Sequence, residues 1–236
     1  MVNSKHVFWQ ALLIAVAVFG VGFTMGFFIE SYRADTVKMS LLDSEIYVFD
    51  EQLRQIILDY QNVSCTLAKD SLFDFANRIY RDAEKLENYD SSSKFSESFI
   101  ILHRRYDLLR TLLWQDSIKL RERCPPFFHT VIYFYEYNPE DVEMRARQSY
   151  YSRMLVELKE NFGEEILLIP IATNMNLSSV NVLLENYKIE ETPVILIDER
   201  YAVNTIITRD ELERIVFFNY VGEPPENRTI HSAVAP

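Results

Sequence analysis

Glycine is scarce in this 236-residue chain, five in all, and three of them (Gly20, Gly22 and Gly26) share one apolar run. The two that remain, Gly163 and Gly222, are isolated, so neither the GxGxxG fingerprint nor the P-loop pattern can be written. Glycine-cradled nucleotide sites are excluded. Basic charge is short as well: 24 Lys+Arg face 35 Asp+Glu, a net charge of -11. A phosphate backbone needs a basic face, so nucleic acid is excluded as a partner class. The four histidines (His6, His103, His129, His231) share no ligand spacing with the two cysteines, and neither a metal nor a cofactor is expected. No nucleophile-elbow or zincin spacing occurs. Proline is absent before Pro125, and neither proline nor glycine falls between Leu41 and Arg123, so long helices there meet no breaker. What is abundant is apolar surface: 48% of residues are hydrophobic, too many for wholesale disorder.

Residues 1–6 form a short N-terminal segment. The next stretch, 7–29 (VFWQALLIAVAVFGVGFTMGFFI), carries no charge. At about 1.5 Å per residue it reaches about 34 Å, enough to cross a hydrocarbon core. It is longer than the apolar part of a signal peptide and no A-x-A site ends it, which predicts an uncleaved transmembrane anchor. Trp9 and Tyr32 would sit at the two interfaces. The charge count around the span is close to a tie. A short N-terminus before a long C-terminal region favours a cell-membrane, single-pass protein whose C-terminal domain is extracytoplasmic. The sequons at Asn62, Asn176 and Asn227 suit that placement only weakly, since composition alone supplies about half as many. Gly22 and Gly26 make a GxxxG pattern that could bring two spans together; glycine is also common in spans without that role.

Residues 30–124 read as a helical stalk or hairpin. Leu42, Ile46, Phe49, Leu53, Ile56, Tyr60, Val63 and Leu67 recur at alternating spacings of four and three, a heptad seam. This seam would either complete a bundle or join two chains. A second series is Leu72, Ala76, Ile79, Ala83, Leu86; a third is Phe95, Phe99, Leu102, Tyr106, Leu109, Leu113. Between them lies the serine-rich turn 88–94. In an antiparallel hairpin, facing residue numbers add to a constant, and Leu72 with Leu113, Ala76 with Leu109, and Ile79 with Tyr106 all give 185. Cys65 and Cys124 give 189, one helical turn out of register. A bend before Pro125-Pro126 would let them form a disulfide; two buried free thiols is the other reading.

From residue 129 the pattern changes. His129 to Tyr137 reads as a strand buried on both faces, and Ile166 to Ala172 as an edge strand because of Pro170. Asn138 is the expected helix N-cap, with Pro139 at the first helical position and Glu140 and Asp141 in the first turn. Gly163 ends that helix. A short helix over 178–187, a hairpin around Glu199-Arg200-Tyr201 and a helix capped by Thr208 and Glu211 complete the order β-α-β-α-β-β-α. Glu190, Glu191, Asp198 and Glu199 read as a solvated acidic face. The tail 220–236 lacks periodicity and reads as disordered.

Tyr187-Lys-Ile-Glu-Glu-Thr-Pro193, followed directly by the apolar run Val194 to Ile197, resembles the thioredoxin-like fold superfamily in its approach to a cis-proline. The resemblance covers 129–219. It implies a thioredoxin-like α/β domain in which Thr192 and Pro193 present backbone to an extended peptide. The redox Cys-x-x-Cys of that superfamily is missing: Asn138, Pro139, Glu140 and Asp141 stand there. The fold class expected is therefore one transmembrane helix, an antiparallel helical hairpin and a redox-inactive thioredoxin-like domain. The function expected is non-enzymatic binding or scaffolding of an unidentified protein or peptide beside the lipid bilayer. Alternatives are an oligomeric membrane complex, homo-oligomeric through Gly22, Gly26 and the heptads, or a thiol oxidoreductase using Cys65 and Cys124.

Overall fold

A computed structural model describes residues 4–61, 63–90, 97–125 and 127–218. The chain divides into two compact units, Met1–Gln61 and Asn62–Pro236. In the first unit, one unbroken helix, α1, runs over Ser4–Tyr60. At 1.5 Å per residue it is about 85 Å long.

The apolar stretch 7–29 is the first part of α1 and not an element of its own, because nothing in the sequence stops the helix before Glu30, Arg33, Asp35 and Lys38. Among the described residues no helix is long and apolar enough to cross a membrane. This corrects the expected transmembrane anchor, and with it the single-pass cell-membrane placement and the extracytoplasmic domain. Gly22 and Gly26 face open space, since a Cβ added at either would meet nothing within 4 Å.

The second unit begins with the expected hairpin, α2 (Cys65–Asp90) and α3 (Glu97–Arg123). Leu72, Ala76, Ile79, Tyr106, Leu109 and Leu113 are buried as the two helices pack together. Helix α2 continues to Asp90; the rest of the serine turn lies outside the described residues, as does the tail. Cys65 and Cys124 are joined in a disulfide, their Cα atoms 5.7 Å apart. The register offset is absorbed because α3 ends at Arg123 and Cys124 sits in the bend before Pro125.

The sheet order is β2-β1-β3-β4, with β1 His129–Tyr135, β2 Ile166–Ala172, β3 Val194–Ile197 and β4 Tyr201–Val203. β1 pairs parallel to β2 and antiparallel to β3, and β3 antiparallel to β4. Pro170 lies on the outer strand β2, where a missing N–H costs no ladder bond on the open side. Helices α4 (Val142–Phe162), α5 (Ser178–Asn186) and α6 (Arg209–Phe218) connect and cover the strands.

Alternation along β1 splits its side chains between two cores. Val131 and Tyr133 pack with Tyr151, Met154, Leu155 and Leu158 of α4 and with Leu212 and Val216 of α6. Phe134, on the opposite face, meets the indole of Trp114 from α3 edge-on, with ring centres 5.8 Å apart. Tyr80 of α2 donates to the Leu168 carbonyl of β2, so the hairpin is tied to the sheet.

With seven helices, one of them a three-residue 3-10 turn, against strands of seven, seven, four and three residues, the described chain is mostly helical around a small mixed sheet. That corrects the expected fold class of a transmembrane helix followed by a thioredoxin-like domain. Three long helices, and not an α/β domain, dominate.

Candidate functional site

The β1–β3 ladder pairs Phe134 with Val194 and ends there. Continued by one pleat, the same register sets Glu136 opposite Thr192, and the Thr192 hydroxyl lies 3.3 Å from the Glu136 carboxylate. The Thr192–Pro193 peptide bond is cis. Pro193 is buried and Thr192 half-buried.

Two clefts meet at Glu136. One, of about 370 Å³, is lined by the apolar Met144, Leu184 and Ile189 together with Glu136, Arg147, Glu190, Glu191 and Thr192. The other, of about 550 Å³, has Asn138, Pro139, Arg145, Gln148, Ser152 and Arg153 among its walls.

The chain between them is held from both sides. In the orientation that satisfies both partners, the Gln148 amide donates to the Glu136 carbonyl (3.1 Å) and accepts from its N–H (2.9 Å). Asn174 does the same for Tyr137, accepting from its N–H at 2.8 Å and donating to its carbonyl at 2.9 Å. Side-chain amides thus extend the ladder where no strand continues. Burial pushes the phenols of Tyr133 and Tyr151 up, despite the Ser152 bond to Tyr133 and the Arg147 charge near Tyr151, so both stay neutral in the core.

The expected cap at Asn138 is displaced. Asn138 takes a left-handed conformation (φ 49°), and Asp141 is the N-cap of α4, its carboxylate accepting from the Glu143 N–H at 3.0 Å. A left-handed asparagine turns the chain but cannot cap, which requires extended geometry. Arg145 donates to the carbonyls of Pro139 and Glu140, both at 2.7 Å, and so pins this turn against α4.

The acidic face resolves into two different settings. Glu190 and Glu191 are exposed and line the smaller cleft. Asp198 and Glu199 are not solvated, contrary to expectation. Both adopt left-handed conformations (φ 48° and 57°) in the three-residue loop between β3 and β4, and Arg200 N–H donates to the Ile197 carbonyl within it. Their carboxylates are drawn inward by Arg121, which pairs with both. Trp114 donates to Glu199 at 2.6 Å, the Thr130 hydroxyl to Glu199 at 3.0 Å, and the Thr130 N–H to Asp198 at 2.9 Å. His129 Nδ1 lies 2.7 Å from the other Asp198 oxygen. Burial alone would raise the Asp198 carboxyl, but the His129 and Thr130 hydrogen bonds and the Arg121 charge outweigh it and hold it below the usual range. This network fastens α3, β1 and the β3–β4 turn to one another. It offers no aligned nucleophile.

Cys65 and Cys124 lie on the hairpin, as the disulfide described above, and do not line either cleft. Glu136 escapes a reading of the sequence because only the strand register brings it to Thr192, and Arg147 and Gln148 because only the packing of α4 brings them to the clefts at Glu136. The polar stripe Arg145, Gln148, Ser149, Ser152 on α4 was a visible signal: its spacing of three, one and three marks one side of a helix.

Comparisons with protein-family models, with curated proteins and with solved structures give no match. The fold alone does not identify the thioredoxin-like superfamily.

Proposed function

We propose that the paired clefts beside Thr192 bind an extended protein or peptide segment without chemical transformation. The observation that carries this reading is the meeting of two open clefts at the unfinished end of the β1–β3 ladder, where Glu136 faces Thr192. The mixture of apolar Met144, Leu184 and Ile189 with charged residues in the smaller cleft suits a segment whose side chains alternate between pocket and solvent. The residues lining the clefts include glutamates and serines but no histidine, cysteine or lysine to pair with them. The likeness of the stretch Tyr187 to Asp198 to peptide-contacting segments of thioredoxin-like proteins points at the same cleft.

An array of ten-residue peptides tests the proposal. Peptides selected on the full chain should lose about tenfold or more in affinity for Thr192→Arg, which fills the smaller cleft, while circular dichroism and the thermal midpoint stay unchanged. Ser152→Arg, in the larger cleft, should weaken those peptides that reach across Glu136. Equal binding to all three chains would place the interaction elsewhere. Failure to select any peptide above the heat-denatured chain would remove the proposal.

A further inference from the structure

Among the described residues, four positions of the α1 heptad seam are exposed. Ile46, Phe49, Leu53 and Ile56 are 68%, 63%, 58% and 50% exposed, and Ile57 beside them 47%. Isolated exposed apolar side chains are ordinary, but four in heptad register form a continuous strip, which is the form in which helices recognise helices. Placing Ile46 and Leu53 at a and Phe49 and Ile56 at d puts Glu45 and Gln52 at g and Asp50 and Ile57 at e. In sequence Asp43 and Asp59 fall at the equivalent flanking positions. The flanks of the seam are thus acidic, with no lysine or arginine among them.

These flanks decide the occupant. In a parallel pair of α1 helices, a g residue faces the e residue of the next heptad, which sets Glu45 against Asp50 of the second copy. In an antiparallel pair, g faces g and e faces e, which again opposes acid to acid. A second copy is disfavoured either way. The basic hairpin helix α3, with Arg104, Arg105 and Arg110, has its own seam buried against α2. We infer that the α1 seam docks a helix of another protein whose apolar heptads are flanked by lysine or arginine. The apolar strip supplies the contact and the flanking charges choose the partner. This interaction is independent of the cleft beside Thr192.

The probe is a pair of synthetic three-heptad helices, identical at a and d (leucine and isoleucine), with lysine at e and g in one and glutamate in the other. Binding to the full chain is read by fluorescence anisotropy. The lysine peptide should bind about tenfold or more tighter than the glutamate peptide, with a preference that shrinks in high salt.

Attraction of any basic peptide to a chain of net charge -11 is controlled by Leu53→Asp. That variant adds charge of the attracting sign, so a loss of binding in it can come only from the seam. Leu53 is exposed, so the helix tolerates the change. Glu45→Lys with Asp50→Lys should reverse the preference between the two peptides. Undiminished lysine-peptide binding in Leu53→Asp would overturn the inference. So would equal affinity for both peptides, or a sedimenting dimer that Leu53→Asp dissociates, the last in favour of a second copy.

Discussion

Asp107 is the residue whose chemistry departs furthest from its sequence appearance. In the helix sequence His-Arg-Arg-Tyr-Asp-Leu-Leu-Arg it reads as one more surface charge, yet its side chain is 1% exposed. It accepts from the Ala172 N–H at the end of β2 and from Arg110, each at 3.3 Å. Burial pushes its carboxyl up to about 6; the Arg110 charge and the Ala172 bond pull it back only in part. An aspartate in the unfolded chain ionises near 4. Between these values the folded chain holds a proton that the unfolded chain has released, so stability falls as pH rises through that window. Asp107→Asn keeps an acceptor for Ala172 but cannot ionise. The stability advantage of the asparagine variant over the wild type, from urea titrations, should therefore shrink by about 2–3 kcal/mol between pH 7 and pH 4. A pH-independent difference would mean that water reaches the carboxylate. Nothing local in the sequence marks Asp107, because its burial comes from a strand end 65 positions away.

At the level of elements, the hairpin was the most legible part of the chain. Period and register both follow from residue spacing, and Leu109 and Ala76, matched by arithmetic, are 2% and 0% exposed. Leu108, its neighbour, is 46% exposed. Leu109→Asp should lower unfolding free energy by about 3–5 kcal/mol through an unpaired buried charge, whereas Leu108→Asp should cost less than about 1 kcal/mol. Equal thermal midpoints for the two variants would refute the packing. The α1 seam shows the other side of that legibility: the same heptad signal specifies an apolar face but not what covers it. Turns are less legible. Asn138 and Asp141 both satisfy the composition of a cap, and only backbone geometry separates them. The pairing of Arg121 with Asp198 and Glu199 was invisible because it joins a helix to a hairpin 77 residues on.

For the molecule as a whole, the second unit has one covalent cross-link, Cys65–Cys124, which closes a loop with a sequence separation of 59. Replacing both cysteines by serine should cost about 2–4 kcal/mol, less than the chain-entropy maximum, and reduction of the wild type should lower its urea midpoint to the same value. An unshifted midpoint would mean that helix packing alone holds the open end. The broad division into a long helical region and a β-containing region could be read from where proline begins and where aromatic and β-branched residues cluster in the short run His129 to Tyr137. The apolar run 7–29 is not an element in itself, because helix ends are set by breakers and caps and none occurs there. Each unit also contains one of the chain's two tryptophans. Trp9 is 62% exposed, whereas Trp114 is 0% exposed, enclosed by Phe134 and Tyr187 and bonded to Glu199. The native protein therefore carries two optically distinct reporters. Acrylamide should quench the red-emitting Trp9 first, giving a downward-curving Stern–Volmer plot that becomes linear on unfolding. With Trp9→Phe, the remaining emission should be blue, resistant to quencher, and lost only when the sheet and the hairpin come apart.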